Sequence, residues 1–189
     1  MKKAIGIMVF AIVLLSSCGG GTQYRDPNKD KGSGTWGPYE IKRTTKKMVD
    51  SLYKYLKSTK KEALLQVKRI RNRTSEHIST KLLSNQITTN LIQKRISFLD
   101  DEMDASAIKQ MKQGMTGMID PDYSVPVGKL QSPNLYLYGE ISENVRYVGG
   151  KKVQYLVVTL KLRELATRRL KWQDRKEFLK ATSTDRVSF

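Results

Sequence analysis

The sequence predicts a single α+β domain, an antiparallel-rich sheet with a C-terminal meander flanked by helices. Three observations carry that expectation. Leu135 to Tyr147 alternates apolar and polar residues with the period of a strand, and Val153 to Arg163 repeats the pattern. Gly149-Gly150 between them is a two-residue hairpin signal. Upstream, apolar residues recur at three- and four-residue steps in two stretches, the mark of amphipathic helices. Local helices followed by a run of strands pack as helices laid on one sheet.

The chain opens as an export signal. Lys2 and Lys3 precede an apolar run from Ala4 to Leu15, and Leu15-Ser16-Ser17-Cys18 follows. The run is shorter than the roughly 20 residues that cross a bilayer. Small residues immediately before a cysteine form the lipobox of bacterial lipoproteins. Residues 1–17 are therefore expected to be a lipoprotein signal peptide, and Cys18 the lipidated residue. As the only cysteine of the chain, Cys18 has no intramolecular disulfide partner. Residues 18–34, rich in glycine and charge with one proline, are expected to be a flexible tether. Gly19 to Gly34 reaches at most about 55 Å fully stretched, and on average roughly 20–25 Å. Residues 35–181 are left for the folded domain and 182–189 for a C-terminal tail.

Within the domain, Met48, Val49, Leu52, Tyr53 and Leu56 predict a helix that Thr44 or Thr45 would cap. Glu62 to Arg71 reads as a strand. Asn72-Arg73-Thr74-Ser75 reads as a polar turn into a second helix capped by Ser75, whose apolar stripe is Ile78, Leu82, Leu83, Ile87, Leu91 and Ile92. Ile96 to Leu99 is a short strand. Asp104 to Gly114 is a short helix with Ala107, Ile108 and Met111 inward, and Thr116 to Ser132 is mostly loop. In the meander, Leu135, Leu137, Ile141, Val145 and Tyr147 share one face of their strand, and Leu156, Val158, Leu160 and Leu162 share one face of the next. A turn near Ala166-Thr167-Arg168 leads to a last strand, Leu170 to Lys180, with Trp172 a core aromatic.

Charge narrows the function. Removing Lys2 and Lys3 from a formal +17 leaves +15 on the mature chain. Export argues against nucleic acid. The partners that remain are an acidic protein surface, anionic lipid headgroups or anionic wall polymer, and a field of this size speeds association with any of them. Catalytic machinery is not legible. His77 is the only histidine, with capping as its simpler role, and no GxSxG, P-loop or HExxH occurs. The cluster Asp100, Asp101, Glu102 and Asp104 lacks the glycine and closing glutamate of a calcium loop, so no metal is expected. Nothing calls for a cofactor. Met103, Met111, Met115 and Met118 read as core and loop filler. Two features favour a binding surface instead. Tyr136 and Tyr138 stand opposite the leucine face, and Arg69, Arg71 and Arg73 alternate so as to project to one side.

Four stretches then carry a family resemblance: GTWGPYEIKRTTKKMVDSL, RNRTSEHIST, YLYGEIS and LKWQDRKEFLK. In this order, behind a lipobox, they resemble the LpoB family of penicillin-binding protein activators over about Gly34 to Lys180. The resemblance implies an outer-membrane lipoprotein on the periplasmic face. It would be a regulator and not an enzyme, binding the small docking domain of a class A penicillin-binding protein to stimulate glycan polymerisation. It implies a sheet flanked by helices, and places Tyr138 on the strand expected to meet the partner. Tyr136, Arg71, Arg73 and Lys129 are the other expected contacts, and direct binding of wall polymer is an added possibility of the charge. Gly19, where enteric inner-membrane lipoproteins carry aspartate, fits the outer-membrane address. Two departures stand out: the tether is short, and the family's Thr-Gly turn before the last strand is Thr167-Arg168. The competing expectation is a structural subunit of an envelope secretion or curli-type pore, which would need a membrane-inserting amphipathic insertion; none is read in the sequence.

Overall fold

The computed structural model describes residues 26–27, 36–100, 104–124 and 126–183. The signal, Cys18 and most of the proposed tether lie outside the described residues, as do the middle of the acidic cluster and Met103. The described chain forms helices α1 (Pro38–Thr59), α2 (Thr80–Gln93) and α3 (Asp104–Gly114). Its strands are β1 (Leu65–Val67), β2 (Arg71–Arg73), β3 (Phe98–Asp100), β4 (Leu135–Val148), β5 (Lys151–Glu164) and β6 (Leu170–Ser183). A 3-10 turn covers Pro121–Tyr123. The strands make one mixed sheet in the order β3-β1-β4-β5-β6, with β2 also on β4. The α+β class, the helix-flanked sheet and the meander all agree with expectation.

Helix α1 begins six residues before the expected cap. Gly37 is the N-cap, Pro38 supplies a fixed φ in the first turn, and the Glu40 carboxylate accepts the Gly37 N–H at 3.1 Å. Thr44 and Thr45 are therefore buried inside the helix and do not cap it. Thr45 meets the cost of burial locally: its hydroxyl donates to the Ile41 carbonyl at 2.8 Å and accepts from Asn90 of α2 at 3.2 Å.

The expected strand over 62–71 is two short strands separated by a bulge. Val67 pairs with Leu137 and Arg71 with Glu140, both in parallel, so four steps on one side match three on the other. The extra residue turns Ile70 into the core, at 3 % exposure, and leaves Arg69 and Arg71 facing out. Asn72 and Arg73, expected in a turn, belong to β2. The turn follows them, with the Asn72 carboxamide accepting from the Thr74 N–H at 3.0 Å and donating to the Glu76 carbonyl at 2.8 Å.

Helix α2 starts at Thr80 with Ser79 as its cap, because the Ser79 hydroxyl accepts from the Leu82 N–H. Ser75 instead gives its backbone N–H to Glu143, and His77 is exposed outside the cap. Leu83, Ile87 and Leu91 are buried as expected, whereas Leu82 and Ile92 lie in solvent on the flanks of the stripe. Ile108 of α3, expected inward, is exposed as well.

The core lies between the two long helices and one face of the sheet. Met48, Val49 and Leu52 of α1 and Leu83, Ile87 and Leu91 of α2 meet Leu137, Ile141, Leu156, Val158, Leu160 and Leu162. Trp172 packs partly buried against this cluster. Each fully buried leucine or isoleucine contributes about 1.5–3 kcal/mol, which makes this single interface the main source of stability. On β6 the same face carries Asp174 and Lys176, directly opposite Leu160 and Val158 and paired with each other at 3.3 Å.

The β4–β5 turn is made by Gly149 and Gly150 at φ 55° and 67°. The β5–β6 turn is closed by Glu164, whose carboxylate takes the Thr167 hydroxyl and the Lys171 ammonium, holding it below the usual carboxylate range. Arg168 in that turn has φ 58°, a left-handed conformation that strains a residue with a Cβ. Arg168→Gly is expected to stabilise the fold by about 0.5–1 kcal/mol, net of glycine's entropy in the unfolded chain. Thermal unfolding would register the gain at roughly 2–4 °C per kcal/mol.

Candidate functional site

Helices α1 and α2 cover one face of the sheet, and the opposite face of the meander carries the candidate residues. Period-two alternation sends Leu137 and Ile141 of β4 into the core, so Tyr136, Tyr138 and Glu140 point the other way. Antiparallel pairing then sets Arg163 opposite Tyr136 and Lys161 opposite Tyr138. On the far side of β4, the bulge between β1 and β2 delivers Lys68, Arg69, Arg71 and Arg73 to the same face. Together these residues line an open groove of about 1030 Å³.

The groove is strongly cationic. Its lining holds Lys68, Arg69, Arg71, Arg73, Lys161 and Arg163 against one carboxylate, Glu140, and includes no histidine or cysteine. Glu140 sits between the Arg73 Nε at 3.2 Å and the Lys161 Nζ at 3.7 Å. Both pairs are solvent-exposed and each is worth at most about 1 kcal/mol, so they position side chains more than they stabilise the fold. The tyrosine rings are also engaged by cations. The Lys68 Nζ lies 5.0 Å from the Tyr136 ring centroid, and the Arg163 guanidinium 5.4 Å from that of Tyr138. Two half-buried aromatic platforms flanked by cations can bind an acidic surface or an anionic polymer.

The floor of the groove depends on Gly139, which sits buried between the two site residues Tyr138 and Glu140. Its rim depends on Glu143. This carboxylate lies on the core side of β4 and accepts from the Ser75 backbone N–H and from the Gln154 carboxamide at 2.5 Å, pinning the turn after β2 to the meander. Desolvation pushes the Glu143 carboxyl up, but the hydrogen bonds from Ser75 and Gln154 and the nearby Lys152 charge outweigh it and hold it below its ordinary value of 4.5. A carboxyl depressed in the folded state stabilises the fold above its unfolded value and loses that contribution as pH falls through the folded value. Urea midpoints of wild type and Glu143→Gln are accordingly expected to differ most at neutral pH and to converge as pH falls below 4.5.

Of the residues expected from sequence, Tyr136, Tyr138, Arg71 and Arg73 come together in the groove, whereas Lys129 lies exposed in the loop before β4, outside its lining. Lys68, Lys161, Arg163 and Glu140 were missed. A signal for three of them lies in the sequence: pairing outward from Gly149-Gly150 sets Arg163 and Lys161 against the two tyrosines, and Glu140 shares their face. The methionines differ from expectation. Met115 and Met118 are exposed at 66 % and 90 %, in a segment that also exposes Tyr123 and Val127. Helix α3 has no extensive packing partner among the described helices and strands, so these side chains have no core to fill.

The family model described as peptidoglycan-synthase activator LpoB matches residues 40–178. No curated protein is similar enough to match. Among solved structures, the chain is similar to the LpoB C-terminal domain from Salmonella enterica, at 14 % identity and a TM-score of 0.47 over 74 % of this chain and 98 % of that one. The LpoB C-terminal domain from Escherichia coli is similar at 17 % identity and 0.46, with the same coverage. Lipoprotein GNA1162 from Neisseria meningitidis is similar at 12 % identity and 0.39 over 64 % of this chain and 84 % of that one.

Proposed function

This chain belongs to the LpoB family of peptidoglycan-synthase activators, and from that premise we propose that it is a lipid-anchored regulator that binds and activates a class A penicillin-binding protein. The partner in the synthase is its non-catalytic docking domain, and the residues that meet it are Tyr136, Tyr138, Arg71 and Arg73, with Lys129 as an outlying contact. Cys18 carries the lipid, and the outer membrane, on its periplasmic face, is the site of attachment. Anionic wall polymer is a secondary ligand of the same charge.

One observation carries this reading: the face of the meander opposite the leucine core gathers six cations and two tyrosines around a single carboxylate. Activation needs only a preference for the synthase's active conformation over its resting one. A tenfold shift takes about 1.4 kcal/mol, within reach of one modest patch.

The test is a pull-down from solubilised envelopes with the fragment 34–189 at low and high salt, read by mass spectrometry. A class A penicillin-binding protein recovered at low salt and lost at high salt is the expected result. Its absence at low salt would remove the proposal. A second reading, a structural subunit of an envelope pore assembly, is favoured by the exposed apolar segment around Met115 and Met118. It requires a large, salt-resistant oligomer of this chain alone, which the mass in solution would reveal.

A further inference from the structure

We infer that the tip of the β4–β5 hairpin rests on the anionic phospholipid headgroups of the membrane that holds the chain, an inference that depends on the lipid anchor proposed above. The tip combines apolar and cationic groups as an interfacial contact requires. Tyr147 and Val148 are 73 % and 63 % exposed, with no described helix or strand laid over them. Arg146 and Lys151 are exposed beside them, Lys152 is half-buried, and no carboxylate occurs from Arg146 to Lys152.

The position of the tip supplies the second argument. The described fold is entered at Trp36, whose ring packs edge-on against Phe178 at 5.7 Å. Phe178 pairs with Leu156, five residues from the Lys151–Ser183 pair that ends the hairpin, roughly 17 Å away. The opposite end of β6, at Leu170, is eight residues away, roughly 27 Å. Helix α1 runs toward that opposite end, where Tyr55 and Leu56 lie beside Leu135 and Lys171. The segment leading back to Cys18 thus departs from the tip half of the domain. The flexible tether expected from the sequence of residues 19–34 would average roughly 20–25 Å end to end, comparable with the gap between Trp36 and the tip. Anchor and tip meet one surface together, and the tether makes a weak contact effectively intramolecular.

The stance this imposes is upright. Tyr138 lies ten residues along β4 from Val148, so the groove stands roughly 34 Å from the lipid contact, turned toward whatever faces the membrane.

The test uses the full chain purified with its lipid and reconstituted into vesicles of phosphatidylcholine with or without phosphatidylglycerol. An environment-sensitive fluorophore is placed on Val148→Cys or, at the other end of the sheet, on Ala166→Cys. With phosphatidylglycerol, emission from position 148 is expected to shift to the blue and to be quenched by spin-labelled lipid, while position 166 stays in water. Lys151→Glu with Lys152→Glu should reduce the quenched fraction severalfold, since each lysine near an anionic surface is worth roughly fivefold. A water-like signal from position 148 on vesicles that do carry the chain would overturn the tip contact and leave the anchor standing. An unmodified Cys18 in the mass spectrum would overturn the anchor, and this inference with it.

Discussion

Gly139→Ala is expected to lower the stability of the domain by about 3 kcal/mol, the upper range for overpacking a filled core, and its melting temperature by roughly 6–12 °C. A Cβ at this position would stand 2.5 Å from the Thr159 carbonyl oxygen and 2.6 Å from the Leu160 Cδ2. The leucine can rotate away, but the carbonyl belongs to the β4–β5 ladder and cannot move without parting the strands. Gly139 and Leu160 are directly opposite, and Leu160 is 1 % exposed, so the leucine occupies the space the glycine leaves. Leu160→Ala alone should cost 2–5 kcal/mol through the cavity it opens. The double variant should recover only the part of the Gly139→Ala loss that comes from the leucine. Complete recovery in thermal unfolding would show that the carbonyl contact is immaterial. Since Gly139 separates Tyr138 from Glu140, partner binding should fall alongside stability.

The second large effect is electrostatic. Arg71→Glu with Arg73→Glu moves the groove by four charge units and leaves Glu140 facing like charge where it now faces the Arg73 guanidinium at 3.2 Å. Arg71 and Arg73 are exposed, so the fold should survive, with unchanged circular dichroism and a small loss in melting temperature. Affinity for an acidic docking domain should drop at least tenfold at low salt, chiefly through slower association. The gap between wild type and variant should nearly close at 1 M salt, where the screening length is about 3 Å. Glu140→Gln, which removes the only carboxylate of the groove, should raise affinity severalfold under the same low-salt conditions. Equal affinities at low salt for all three proteins would exclude the groove as the docking face.

The meander was the most legible part of the chain, because alternation over fourteen-residue strands and a Gly-Gly turn leave one register that buries the leucines. The same periodicity sets Tyr136 and Tyr138 opposite the leucines, whereas which of the two faces the helices cover is decided by packing. The elements that escaped are short or decided by tertiary contacts. The bulge after Val67 exists because β1 and β2 both pair with β4 while Ile70 fills a gap in the core, and no local pattern encodes that. The cap of α2 is Ser79, whose hydroxyl accepts from the Leu82 N–H, while Ser75 is held against the meander by Glu143, which is distant in sequence. Thr44 and Thr45 have the chemistry of caps, yet Pro38 and Glu40 begin the helix earlier and Asn90 gives Thr45 a buried partner. Met115 and Met118 look like core residues by composition, but α3 packs against too little of the fold to bury them.

The Asp174–Lys176 pair on β6 has a consequence for crowding. β6 is an outermost strand of fourteen residues, long enough to template a second chain. A sheet continued across that edge would extend the core side as well, and the incoming strand would press apolar side chains against an ion pair that now keeps access to water. Proteins tethered by one end to a surface meet one another far more often than free ones. Under the anchor proposed above, each encounter along the β6 edge is penalised by this ion pair, which opposes annealing into fibres.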